Sequence, residues 1–260
     1  MTSIHEYILE TRAMDLSIAG RSLCKNLNLR ITKGECIGVL GQNGTGKTTL
    51  LHTLLNFRQP QAGEVLLCGR PVSVWPRKEL ATTLGILFQN NSDDMPATVL
   101  ETALLGRHPH LDSWQWESSA DVALAQSALA DMGIDSLAER DVTTLSGGER
   151  QRLAMATLLT QAPMLYLLDE PGNHLDIAFQ SKSITLLRRQ VIEKQLALCM
   201  ATHDINLAAR FCDQILLLMG DGKFLLGESH EILTPANLSK AYGCEIREVS
   251  YEGGRIFFSA

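Results

Sequence analysis

The sequence has no apolar run long enough to cross a bilayer. Its longest stretches, Met164-Leu165-Tyr166-Leu167-Leu168 and Ile215-Leu216-Leu217-Leu218-Met219, fall far short of the ~20 residues a spanning helix needs. A membrane role must therefore pass through a partner. Residues 1–10 carry His5 and Glu6 but no basic stretch followed by an apolar one, so no secretory leader is expected and the chain is expected to stay in the cytoplasm. The six cysteines, Cys24, Cys36, Cys68, Cys199, Cys212 and Cys244, include no C-x-x-C pair and read as reduced core residues. Positive charge is not in excess: 23 Lys and Arg against 29 Asp and Glu give a net charge of −6. That balance argues against nucleic acid as a partner and requires strong local cations for any bound polyphosphate. Internal repeats, low-complexity tracts and Pro/Ser-rich linkers are missing too, so nothing marks a boundary between independent domains. With 260 residues, 45% of them hydrophobic and 20% charged, the composition excludes disorder, collagen and coiled coil. A chain this long hides roughly 75% of its unfolded surface and needs no disulfide or metal staple.

What the sequence does hold is a set of short apolar runs, each ending in polar or glycine-rich residues. Residues 35–40, 84–88, 164–168 and 196–201 read as buried parallel strands. They are followed by Gly41-Gln42-Asn43-Gly44-Thr45-Gly46-Lys47-Thr48, by Gln89, by Asp169-Glu170 and by His203-Asp204. In open α/β sheets the ligand crevice lies outside the carboxyl ends of the strands, so these four groups are expected to converge. Residues 90–163, rich in Ala, Leu, Asp and Glu, read as a helical insertion. Residues 7–17, 27–31 and 63–69 suggest a small antiparallel sheet.

Residues 41–48 fit G-x-x-x-x-G-K-[ST], preceded by a strand and followed by a helical run at 49–55, as a phosphate-binding loop requires. Glycines let backbone N–H groups turn toward phosphate oxygens, the helix presents its positive end, Lys47 reaches the β- and γ-phosphates and Thr48 can ligate Mg²⁺. Chance produces this pattern in on the order of 1 in 100 chains of this length. Asp169 at a strand end can hold Mg²⁺, and Glu170 beside it can activate a water; alone, the pair would read as a polar strand end entering the turn at Pro171. Ser146 and Glu149, three residues apart, form a capping box for a helix reaching Leu159. Capping does not explain Gly147-Gly148, which weaken a first turn unless backbone must approach something closely, and a second anion-binding helix end is the sharper reading.

Taken in order, the phosphate loop, Gln89, Leu145-Ser146-Gly147-Gly148-Glu149-Arg150-Gln151, the 165–170 strand end, Leu175-Asp176 and His203 resemble the nucleotide-binding subunit of ATP-binding-cassette transporters nearly end to end. The resemblance implies one domain over residues 1–260: a RecA-like P-loop NTPase core of the α/β class with a predominantly parallel sheet, an N-terminal antiparallel β-subdomain and an α-helical subdomain inserted at about 91–160. It implies ATP and Mg²⁺ as cofactors, with Gly41, Gln42, Asn43, Gly44, Thr45, Gly46, Lys47, Thr48 and Thr49 binding nucleotide and Thr48, Gln89 and Asp169 serving the metal. Glu170, His203 and Gln89 are the implied catalytic group. Leu145, Ser146, Gly147, Gly148 and Glu149 would meet the ATP of a second copy in a head-to-tail dimer. Asp176 would lie in the loop that crosses between copies, although a helix N-cap also explains it.

Gly106-Arg107-His108-Pro109-His110, Glu231-Ile232-Leu233-Thr234-Pro235 and Ala241-Tyr242-Gly243 narrow the resemblance to importers of iron-siderophores, haem and vitamin B12. Implied partners are transmembrane permease subunits, a second copy and, indirectly, a periplasmic or surface solute-binding protein, with the chain at the cytoplasmic face of the membrane. Two departures stand out. Ala19-Gly20 occupies the place where relatives carry an adenine-stacking aromatic, leaving Ile18 or Leu16 as an apolar substitute, and Gly172 replaces a threonine after the Asp-Glu-Pro triplet. His108 and His110 read as solvated rather than as metal ligands. A soluble cassette ATPase of DNA repair or translation is the alternative function, and a small-molecule kinase leaves the 145–151 segment without a role.

Overall fold

The structure is a computed structural model that describes residues 7–89, 96–112, 114–173, 176–252 and 254–260. His5, Glu6, the first residues of the expected insertion (90–95), His174 and Leu175 lie outside the described residues. The chain divides into two compact units, one made of residues up to Trp75 together with Thr185–Ala260, the other of Pro76–Ile184.

In the first unit the strand Cys36–Leu40 is buried at every residue and lies parallel to two neighbours, Ala197–Thr202 and Gln214–Gly220. Burial on both faces is what a parallel strand with an unbroken apolar run achieves. Gly38 permits it: a Cβ there would stand 2.9 Å from Ile215 Cδ1 and 3.0 Å from Cys212 Sγ. Lys223–Glu228 adds an antiparallel edge to Gln214–Gly220. Asp213, just before that central strand, accepts from Cys36 N at 2.9 Å and from both terminal nitrogens of Arg188 at 2.6 Å, locking strand to helix. The expected antiparallel sheet is present with different boundaries. Tyr7–Ile18 pairs with Arg21–Leu27, Arg30–Thr32 and Ala62–Leu67, so residues 27–31 straddle the break between two strands rather than forming one. A hairpin of Ile246–Tyr251 and Gly254–Ser259 closes the chain.

In the second unit Leu84–Leu87 runs parallel to Leu165–Asp169. The insertion is helical as expected, with Val99–Leu104, Ser119–Asp131 and Gly147–Gln161 each opening on a capping box, Thr98/Glu101, Ser118/Asp121 and Ser146/Glu149 respectively. Each box satisfies two amide donors that a helix start leaves unpaired. Arg107 ties the insertion together, donating to Asp121 at 2.7 Å and to Thr160 O at 3.2 Å. The helix Ile177–Glu193 begins in this unit and ends in the first.

The reading of all six cysteines as core holds for Cys24, Cys36, Cys199 and Cys212, whose burial pushes their thiols up, to about 12 at Cys199. It fails for Cys68, half-buried just past a strand end, and for Cys244, exposed just past a helix end.

Candidate nucleotide-binding site

The first unit carries the phosphate loop between Cys36–Leu40 and the helix Lys47–Leu54. Three of its glycines sit at positive φ, Gly41 at 154°, Gly44 at 80° and Gly46 at 104°. Gly46 also lies where a Cβ would come within 2.6 Å of Leu23, so the loop backbone needs glycine for conformation and for room. Lys47 is buried, and its Nζ donates to Gly41 O at 3.0 Å and to Gln42 O at 3.5 Å, which folds the ammonium into the loop. Thr45 Oγ1 donates to Gln42 O at 2.8 Å and fixes the loop's curl. Gln42, Asn43, Gly44 and Thr48 are exposed, and Thr49 is half-buried. His203 follows Ala197–Thr202, whose Thr202 pairs in register with Leu40, so the exposed imidazole and the phosphate loop leave adjacent strands at the same end. Asp204 beside it caps the next helix through Leu207 N at 2.9 Å.

The second unit repeats this arrangement with different chemistry. Leu87 pairs with Leu168, so exposed Gln89 and the carboxylates of Asp169 and Glu170 leave one end of a parallel pair. Asp169 is 2% and Glu170 6% exposed, which keeps both carboxylates away from bulk water. Glu170 adopts φ 51°, a conformation few non-glycine residues take, and its carbonyl accepts from Asn173 N at 3.1 Å as the chain turns. The helix Gly147–Gln161 opens with Ser146 Oγ accepting from Glu149 N at 3.3 Å and Glu149 Oε2 accepting from Ser146 N at 2.8 Å. The Ser146 amide, and after it the Ser146 hydroxyl donating to Glu149 Oε2 at 2.7 Å, hold the Glu149 carboxyl below the usual carboxylate range. Leu145 anchors the segment in the core, while Ser146 and Gly147 are exposed. Asp176 accepts from Phe179 N at 2.8 Å as an N-cap and from Arg152 at 3.4 Å, with Arg152 lying 3.8 Å over the Phe179 ring.

Each unit thus brings one pair of expected groups together, the phosphate loop with His203 and Gln89 with the two carboxylates. One expectation narrows. Ala19 and Gly20 form the two-residue turn of a hairpin, both at positive φ, as such turns demand. Ala19 therefore offers only a methyl group, Leu16 is in the core, and of the two expected apolar substitutes only Ile18, 41% exposed, is at the surface. Sequence reasoning also gave Gln151 no task of its own, yet it is 4% exposed with Nε2 lacking a hydrogen-bond partner. Its place two residues beyond Glu149 was the signal available.

Fold and site together define a phosphate-loop nucleotide-binding protein with a helical insertion. The match to known proteins narrows this. Residues 24–173 match the ABC transporter family, and the chain belongs to that family. It is 38% identical to the hemin import ATP-binding protein HmuV of Escherichia coli O157:H7, over 88% of this chain and 90% of that one. It is 34% identical to the cobalamin import ATP-binding protein BtuD of Halobacterium salinarum, over 92% of this chain and 59% of that longer one. Among solved structures, a transporter described as of the metal-chelate ABC type, in an inward-facing conformation, superposes with a TM-score of 0.84 at 28% identity, covering 98% of both chains. The chain is accordingly an ATP-binding ATPase of the transporter class, whose members serve transmembrane subunits.

Proposed function

We propose that the chain hydrolyses ATP to power a membrane importer of an iron chelate, haem or cobalamin, as a head-to-tail pair of copies at the cytoplasmic face. The observation that carries this reading is the phosphate loop with buried Lys47 at its foot, in a chain that also holds the buried Asp169-Glu170 pair at a strand end. The relatives compared are import proteins for haem and cobalamin, which favours transport of a chelated metal over DNA repair or translation. Among the described residues no helix is long and apolar enough to cross a membrane, so the transmembrane path falls to permease subunits.

In this reading the amides of residues 43–48 and the positive end of Lys47–Leu54 hold the β- and γ-phosphates. Lys47 exchanges loop carbonyls for phosphate oxygens. Thr48, Asp169 and Gln89 each carry a hard oxygen donor of the kind that suits Mg²⁺, and by the family pattern they would serve the ion, which would offset phosphate charge. Glu170 orients and deprotonates the attacking water, and His203 donates to the γ-phosphate. A Cβ at Gly147 would meet nothing within 4 Å, so the glycine serves something outside the chain's own packing. The γ-phosphate of ATP held by a second copy fits that place.

The test is phosphate release by the chain reconstituted with its permease. Lys47→Ala is expected to lose ~10²-fold or more of the rate. Glu170→Gln is expected to lose ~10²–10⁴-fold and to accumulate an ATP-bound dimer in size exclusion with light scattering. Full activity of Lys47→Ala overturns the reading. Stimulation by haem-, siderophore- or cobalamin-loaded binding protein assigns the solute.

A further inference from the structure

The helix Gly147–Gln161 carries a buried amide that the fold does not satisfy. Gln151 is 4% exposed, and its Nε2 finds no hydrogen-bond partner among the described residues. Buried donors in folded proteins are almost always paired, and an isolated one bears the full cost of leaving water. An amide kept at such a place points to an arrangement of the protein in which it is paired.

The packing of the helix within its unit shows where the amide stands. Gln161, at the helix end, donates through Nε2 to Ala81 O at 2.6 Å and Leu84 O at 3.0 Å, where the strand Leu84–Leu87 begins. Leu158, nearly one turn earlier, lies over the next strand residue, since a Cβ on Gly85 would come within 2.5 Å of its Cδ1. The helix thus runs opposite to the strand. Leu158, Met155 and Gln151 share one buried face. Seven residues of helix cover about 10.5 Å and three of strand about 10 Å, so Gln151 stands level with Phe88. The pairing of Leu87 with Leu168 carries that level across to Asp169 and Glu170. Arg152, beside Gln151, marks the same height, because it reaches Asp176, just past the turn that follows Glu170, at 3.4 Å. Alternation along the paired strands puts Gly85, Leu87, Tyr166 and Leu168 on the helix side and Asp169, the last strand residue, on the other. That leaves Glu170, itself 6% exposed, as the carboxylate for the amide to serve.

We propose that Gln151 is a positioning residue for hydrolysis: with ATP bound, its Nε2 donates to the Glu170 carboxylate and holds it toward the attacking water. No proton leaves the amide, so Gln151 orients the base without sharing its chemistry. A small advance of the helix toward the strand end makes the bond, and the same helix opens at Gly147, where the ATP of a second copy is expected. The proposal rests on the reading above in taking Glu170 as the base.

The test compares Gln151→Met, which keeps the length and removes the N–H groups, with Gln151→Glu, which sets a second carboxyl beside Glu170. In the chain reconstituted with its permease, Gln151→Met is expected to lower kcat for phosphate release ~10-fold or more with KM for ATP unchanged, as for an interaction made only in the transition state. Without nucleotide the same protein is expected to melt at or above the temperature of the parent, because an unpaired donor has left the interior. Gln151→Glu is expected to be slower than Gln151→Met. In a Glu170→Gln background the methionine is expected to add no further loss, since the two residues act as one unit. A parental kcat in Gln151→Met overturns the proposal, as does a Gln151→Glu protein faster than the methionine one or a full further loss on top of Glu170→Gln. A lower melting temperature in Gln151→Met also overturns it and assigns the amide to holding the fold. If Glu170→Gln turns over at the rate of the parent, the reading of Glu170 as base fails and this proposal with it. If Glu170→Gln is idle while Gln151→Met is fully active, only this proposal fails.

Discussion

Gly147 is the residue whose side chain the fold does not restrict. Alanine there meets nothing within 4 Å and stiffens the first turn of Gly147–Gln161. Gly147→Ala is therefore expected to hold or raise thermal stability, by at most about 0.5–1 kcal/mol, while weakening the ATP-dependent dimer of the Glu170→Gln protein. Melting curves and light scattering on the same samples check this, and an unchanged dimer contradicts a close approach of phosphate to that backbone. At this scale the sequence was readable where a short local pattern sets the geometry, as with the Ser146/Glu149 capping box and the glycines of the phosphate loop. It was not readable at Ala19. A missing aromatic leaves no mark of which residue sits in the turn, and only the strand register shows Ile18 as the exposed side chain. Cys244 was misjudged for a similar reason, because exposure depends on where a helix ends.

Among elements, the helices of the second unit depend on acidic caps. Asp121 is held down to about 2 by the Ser118 hydroxyl first, then the Ser118 amide and Arg107. Glu101 and Glu149 are lowered chiefly by the amides of Thr98 and Ser146. A carboxyl lowered in the folded state contributes stability above its unfolded value, near pH 4, and loses that contribution as pH falls through its folded value. Protection from hydrogen exchange in the first turns of Val99–Leu104, Ser119–Asp131 and Gly147–Gln161 is thus expected to fall as pH drops from about 4 to 2. In Asp121→Asn it should be low already at higher pH, for the middle helix alone. Of these caps only Ser146/Glu149 was read from the sequence, where the box lies within four residues; Thr98/Glu101 and Ser118/Asp121, of the same spacing, were passed over. The strand Gln214–Gly220 was not recognised as one, since its partner Cys36–Leu40 lies far away in the chain and an apolar run alone does not name it. The break between Arg21–Leu27 and Arg30–Thr32 escaped notice because both strands pair with Tyr7–Ile18.

For the whole molecule, the class of fold was legible because parallel strands ending in polar clusters specify it. The division near Trp75 and Thr185 was not, as no linker composition marks it and one helix runs through the second junction. Ligand binding to the folded state stabilises by mass action, so ATP at ~100 times its Kd is expected to add about 2.7 kcal/mol and raise the melting temperature. Lys47→Ala should abolish that rise. The backbone of Glu170, at φ 51°, suggests how the molecule as a whole trades robustness for chemistry. Strain of this kind amounts to about 1–3 kcal/mol, and asparagine tolerates the conformation better than glutamine. Glu170→Asn and Glu170→Gln are both expected to be inert, yet calorimetry should find the asparagine protein melting higher. A sturdier but idle ATPase would then lie one codon change from the working one, and the native glutamate would persist only where turnover is under selection.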